Sequence, residues 1–302
     1  MTAAPLLEAR GAALSVAGAP TLGPFDARTT GDFVVIAGDV GALVSLLTNV
    51  PLGALALARG TDPSFASAAT VEISAGTLLV GGEDARTPAF RTNLGVAPLD
   101  PPLPVDLTAM EYLVVAAKLA GLGRAAKVEA ARALDAVGAG AIARRKIVSL
   151  GVAERRILSF AQAIVARPPV LVVESPLAHL DDAASAYVLE AFSRAAEGRR
   201  AIVSADRAEA GGRDAAIVER ASTILRFARG ELVPSVGGAA RYRLTVRSNA
   251  DALAAELGRS GVELEGGPTR FAVSLPEGMT TDVILRAASV ARAAVVDLSS
   301  LG

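Results

Sequence analysis

Three short runs of uninterrupted apolar residues do most to limit what this chain can fold into. They lie at residues 33–37, 170–173 and 201–203, and none carries the polar alternation of a half-exposed strand. A run of this kind, bounded by turn residues, fits a strand buried on both faces. Helical stretches separate the runs, among them 151–166, stopped by Pro168-Pro169, and 182–196. Strands alternating with helices predict an α/β core with parallel strands. Hydrophobic residues make up 52% of the 302, enough for a large core, although much of that is alanine.

The remaining segments are built differently. Short apolar pieces at 6–14 and 21–27 suggest antiparallel strands, and Gly31-Asp32 a turn. A helix is expected over 42–49, limited by Pro51. Residues 60–70 read as a loop, 71–73 and 77–80 as a strand pair, and 94–98 as a strand entering the proline-rich turn 99–104. Asp106 or Thr108 is placed to cap a helix reaching Leu119, and a second helix covers 125–136. A strand is expected to follow 217–226. Near Val233 the pattern changes. Residues 234–240 read as a linker, and 241–302 as a small α+β unit of the β-α-β-β-α-β kind or a piece of it.

Charge and rare residues exclude several functions. Thirty Lys and Arg face 31 Asp and Glu, a formal net charge of −1, so nothing argues for a nucleic-acid partner. The absence of cysteine excludes disulfides and thiolate metal sites, and the single histidine, His179, excludes a multi-histidine site. No apolar run reaches the roughly 18–20 residues of a membrane helix, and residues 1–10 lack the pattern of a signal peptide. A soluble, cytoplasmic chain is the expectation.

Residues 34–47 have the strand–turn–helix layout of a phosphate-binding P-loop, Gly-x-x-x-x-Gly-Lys-Ser/Thr. Gly38 and Ser45 are in register, and Gly41 could help shape the turn. The second glycine is Leu43 and the lysine is Val44. A P-loop aims backbone N–H groups and a helix N-terminus at phosphate, and lysine adds a full charge. Losing that charge-assisted bond costs about 1.5–3 kcal/mol, or about ten- to a hundredfold in affinity. Asp39 adds a negative charge nearby. The segment reads either as a plain strand-to-helix turn or as a weak residual anion site.

The order of elements over about residues 6–233 resembles the ATP-binding cassette ATPases, the engine subunits of ABC transporters. The resemblance rests on the P-loop-like turn, Gly76–Asp84, Leu107-Thr108-Ala109-Met110-Glu111-Tyr112-Leu113, and the run from Ala161 through Pro168-Pro169 to Val170-Leu171-Val172-Val173-Glu174-Ser175-Pro176. Leu180-Asp181 and Arg229-Gly230-Glu231-Leu232-Val233 complete it. It implies a P-loop NTPase-like core with an antiparallel β subdomain, a helical subdomain at about 105–160, and a small C-terminal α+β extension of the exporter type.

The resemblance also locates what is missing. The Walker B pair is Glu174-Ser175; Glu174 could still meet Mg2+, while Ser175 supplies no base. The Q-loop glutamine position holds Leu99 and the histidine-switch position Asp206. The signature Leu-Ser-Gly-Gly-Gln is Leu150-Gly151-Val152-Ala153-Glu154, with Val152 expected over the helix N-terminus. No aromatic lies near Ala17 or Gly18 to stack adenine, and His179 falls in the D-loop as an interface or surface residue. Loss at each motif beside intact apolar strands points to relaxed demand for hydrolysis with continued demand for the fold.

What the resemblance implies is a non-hydrolytic cassette subunit, structural or regulatory, peripheral at the inner face of the cell membrane. It would pair with a membrane-spanning subunit and, in a heterodimer, with an intact cassette ATPase. No catalytic residue, metal or cofactor is expected. Two alternatives stand beside it: a divergent but active transport ATPase using ATP and Mg2+ through Ser45 and Glu174, and a scaffold within a motility or secretion machine.

Overall fold

The computed structural model describes residues 4–50, 70–101, 103–205, 213–233, 240–267, 269–275 and 281–300. The expected loop at 60–70, except Thr70, and all of the expected linker except Ala240 lie outside them. The chain divides into two compact units, Met1–Val233 and Pro234–Gly302.

The first unit is centred on β3 (Phe33–Gly38), β6 (Leu94–Ala97), β7 (Val170–Glu174), β8 (Arg200–Ala205), β9 (Thr223–Ala228) and β10 (Glu231–Val233). They form one sheet in the order β10-β9-β3-β8-β7-β6. All neighbours run parallel except β10, which turns back on β9. Successive side chains alternate between faces, which explains the unbroken apolar runs. Val35, Leu171, Val173 and Val203 enter one apolar core, and Val34, Ile36, Val172 and Ile202 enter another.

Helices fill the first core. They are α3 (Ala109–Leu119), α4 (Ala126–Ala136), α5 (Val152–Ile164) and α6 (Asp182–Ala196). The Phe160 and Phe192 rings of α5 and α6 pack with centroids 5.9 Å apart. Thr108, not Asp106, caps α3. Its hydroxyl accepts the Glu111 N–H at 3.2 Å, while the Glu111 carboxylate accepts the Thr108 N–H at 2.8 Å.

That cap carries a pH dependence. The Thr108 N–H, then its hydroxyl, hold the Glu111 carboxyl below the usual carboxylate range, with a smaller contribution from Lys146. A depressed folded-state pKa stabilises above the unfolded value and loses that contribution as pH falls through the folded one. Glu111→Gln, which mimics the protonated form, should therefore melt below the native protein at neutral pH. The gap should close as pH falls through and below the ordinary carboxylate range, measured as Tm by circular dichroism.

The second core lies under an antiparallel sheet, β2-β1-β4-β5, made of β1 (Leu7–Val16), β2 (Ala19–Arg28), β4 (Val71–Val80) and β5 (Glu83–Asp84). The expected strand pair at 71–73 and 77–80 is one ten-residue strand, β4. Gly76 lets it continue. Its φ is +65°, and a Cβ there would stand 2.1 Å from the Gly11 carbonyl oxygen, so only glycine permits this crossing of β1. The sequence reading also passed over α2 (Pro88–Thr92), a five-residue helix capped by Thr87 and anchored by fully buried Phe90. The signal was Thr-Pro, a cap followed by proline in the first turn.

The second unit contains β11 (Ala240–Val246), α7 (Ala250–Arg259), β12 (Glu263–Gly266), β13 (Arg270–Leu275), α8 (Asp282–Ala291) and β14 (Val295–Ser300). This is a full β-α-β-β-α-β set, with antiparallel strands ordered β12-β13-β11-β14. Leu244, Leu253, Leu257, Val273 and Ile284 give it a core of its own.

Candidate functional site

The P-loop-like segment is a tight turn. β3 ends at Gly38 and α1 (Gly41–Thr48) begins at Gly41, leaving only Asp39 and Val40 between them. Both have their amides engaged: Asp39 donates to the Phe227 carbonyl at 3.0 Å and Val40 to the Gly38 carbonyl at 2.7 Å. The Asp39 carboxylate accepts the Arg229 N–H at 2.7 Å, pinning the turn to the end of β9. A P-loop needs residues 39–43 extended around the phosphates, with the lysine opening the helix. Here residues 41–43 are already helical.

The side chains follow from that early start. Leu43 and Val44 are 0% and 2% exposed and belong to the second core, with Ile36 and Leu47. Position 44 therefore points into hydrocarbon. Ser45 is buried too, and its hydroxyl donates to the Val50 carbonyl at 2.5 Å, at the far end of the helix. Leu43, Val44 and Ser45 are thus committed to the core and to the far end of the helix. Among the described residues, no group of three His, Asp or Glu is placed to hold a metal ion.

The end of β7 is equally committed. Glu174 is 1% exposed, and its Oε2 accepts the Leu99 N–H at 3.0 Å. Ser175 has a φ of +38°, an uncommon conformation for a residue with a side chain. Its N–H holds that shape by donating to Ser204, at 3.1 Å to the carbonyl and 3.0 Å to the hydroxyl. Arg156, 2% exposed, donates through Nη1 to the carbonyls of Ser175 and Pro176 at 3.0 and 2.9 Å. Burial pushes its guanidinium below the ordinary value, opposed by the charges of Asp100 and then Glu174. A buried carboxylate and a buried guanidinium thus face each other's fields behind Leu99, where each limits the cost of burying the other.

At the signature position Gly151 precedes α5. The structure corrects the expectation for Val152, whose side chain is exposed. The group on the helix N-terminus is the Glu154 carboxylate, which accepts the Gly151 N–H at 2.8 Å and pairs with Arg145. A carboxylate there is favoured by the helix dipole and repels a second anion. Ala153 is half-buried beside it. His179 is exposed in the turn before Asp181, which caps α6 through the Ala184 N–H. Ala17 and Gly18 form the turn between β1 and β2. Asp206 lies outside the described residues.

The structure links Leu99 to Glu174 by a hydrogen bond and holds Ser175 next to it on Ser204 and Arg156, while Gly38, Gly41 and Ser45 belong to the packed turn between β3 and α1. Sequence reasoning missed Arg156 and Ser204. The signal for Arg156 was a charge directly before the apolar run Ile157-Leu158, on a helix that packs into the core.

No family model and no curated protein matches this chain. Solved structures do. A bacterial Atm1-family ABC exporter with ATP bound superposes with a TM-score of 0.55 at 19% identity, over 77% of this chain and 38% of that one. The chain thus spans well under half of the exporter's length. cbiO1 from Clostridium perfringens, part of the ABC transporter complex cbiONQ, gives 0.54 at 13% identity over 76% of this chain and 87% of that one. An ATP-binding subunit of an ABC transporter gives 0.55 at 17% identity over 75% and 88%. The chain has the fold of an ABC transporter nucleotide-binding subunit, an α/β sheet flanked by an antiparallel sheet and a group of helices.

Proposed function

We infer that the chain is a cassette-like subunit that neither grips nor hydrolyses ATP and serves an ABC-type membrane complex structurally or as a regulator. The observation that carries this reading is the two-residue connection between β3 and α1, which sends position 44 into the core. The commitment of Glu174 to Leu99 and the Glu154 carboxylate on α5 support it from the other motifs. In a composite site made by one subunit's P-loop and another's signature helix, this chain would supply neither half. Its partners on this reading are a membrane-spanning subunit and an intact cassette ATPase, with the chain on the cytoplasmic side of the membrane.

Titration of the full chain with Mg2+-ATP tests it. A ligand at about a hundred times its Kd stabilises by about 2.7 kcal/mol, and for a unit of this size Tm then rises by roughly 5–10 °C. The expected result is no shift at millimolar Mg2+-ATP and no saturable heat. Low-micromolar binding, or Mg2+-dependent phosphate release that disappears in Glu174→Ala, would establish the active-ATPase alternative instead.

A further inference from the structure

Between the segment after β6 and the start of α5, the first unit holds a cavity of about 440 Å3. That is the size of a small-molecule site, about 300–1,000 Å3. Leu103, Val105, Ile147 and Val148 give it an apolar wall, and Arg155, Arg156 and Asp100 a charged end. Around it Val105, Val148 and Val152 are 54%, 62% and 55% exposed.

Arg156 marks the ligand class. It lines the cavity yet is almost wholly removed from water. A guanidinium has five N–H donors. The two on Nη1 are satisfied by the Ser175 and Pro176 carbonyls. Among the described residues, Nε and Nη2 find no acceptor, and no carboxylate forms an ion pair with them. These donors are not sealed from solvent, and a guanidinium with donors still open beside a cavity suits a planar anion that can take two parallel bonds. Arg155 adds a second positive charge at the same end, opposite the carboxylates of Asp100 and, behind Leu99, Glu174.

We propose that this cavity binds a small amphipathic carboxylate, its headgroup on Arg156 and its apolar body along Leu103, Val105, Ile147 and Val148. Because Arg156 also holds the carbonyls of Ser175 and Pro176, an occupant acts directly on the turn after β7. The Leu99 that borders the cavity holds Glu174 through its N–H, so a second tie runs to the same strand end. None of residues 38–45 lines the cavity.

The test uses decanoate as the probe on the full chain by isothermal titration calorimetry, with decan-1-ol and decyltrimethylammonium as neutral and cationic controls of the same chain length. Decanoate should bind saturably at one per chain, at least about tenfold more tightly than either control, the factor set by a charge-assisted bond. Arg156→Met should weaken decanoate by about ten- to a hundredfold. That variant also loses the bonds to Ser175 and Pro176, so Val148→Glu on the exposed rim is the companion. It keeps the core intact and should weaken decanoate about tenfold without weakening decyltrimethylammonium. Absence of saturable binding at millimolar decanoate, equal affinity for all three headgroups, or indifference to Val148→Glu would each overturn the proposal. So would co-sedimentation with phosphatidylglycerol vesicles without binding of free decanoate, which would make the hollow part of a lipid-facing surface.

Discussion

Val44→Lys, the substitution that would restore the missing P-loop amine, should destabilise the first unit by about 3–5 kcal/mol and give no nucleotide binding. The site it enters is 2% exposed and lined by the second core. Asp39, the carboxylate of the turn, is exposed, whereas the side chain at position 44 points into the core. An ammonium there must either be buried as a charge, lose its proton, or pull α1 off the sheet. Each route weakens the fold. With no tryptophan in the chain, urea unfolding is best followed by far-ultraviolet circular dichroism. The two units have separate cores and need not melt together, so the transition has to be assigned to one of them. Native-like stability combined with micromolar ATP affinity would mean that residues 38–45 open into a loop, and the functional reading would fail.

Gly38→Ala should be nearly as damaging, at about 2–5 kcal/mol. Gly38 has a φ of +88°, and a Cβ on it would sit 2.0 Å from the Phe227 carbonyl oxygen. That oxygen belongs to β9, which pairs with β3, and it also accepts the Asp39 N–H, so it has little freedom to retreat. Gly151, the other motif glycine with a defined role, provides the contrast. Its φ is −68°, and an added Cβ would meet nothing closer than the Glu154 carboxylate at 3.8 Å. Gly151→Ala should therefore cost no more than about 1 kcal/mol, the ordinary loss at a helix N-cap. The pair separates a glycine required by backbone geometry from one that merely occupies a motif position. Equal losses in the two variants would show that the turn at Gly38 is looser than described.

The elements read most faithfully from sequence are those with both a strong period and an explicit end signal. Helix α6 spans Asp182–Ala196 as expected, because Asp181 caps it and the apolar spacing is regular. The buried strands β3, β7 and β8 were legible as apolar runs whose alternate residues serve two cores. Helix α2 was not, since five residues carry less than two turns of period. The continuity of β4 was hidden because a glycine in mid-strand looks like a turn until its neighbour is known, and here the neighbour is Gly11, distant in sequence. At the site, sequence could report that an amine, an aspartate and a glutamine were absent. It could not report where α1 begins, which depends on packing Leu43, Val44 and Leu47 against the sheet. The hydrogen bond from Leu99 to Glu174 spans 75 positions, and no local pattern encodes it.

Seven of the eight residues of α1 are buried, and this bears on how such a chain can change over generations. Where a turn is a filled corner, selection acts on volume and shape, and substitution one step at a time toward a charged loop is opposed. An amine introduced first meets hydrocarbon, while a longer loop introduced first strips a helix of its packing with nothing gained in return. The two alterations would have to arrive together, so the filled corner resists conversion into an extended, charged loop.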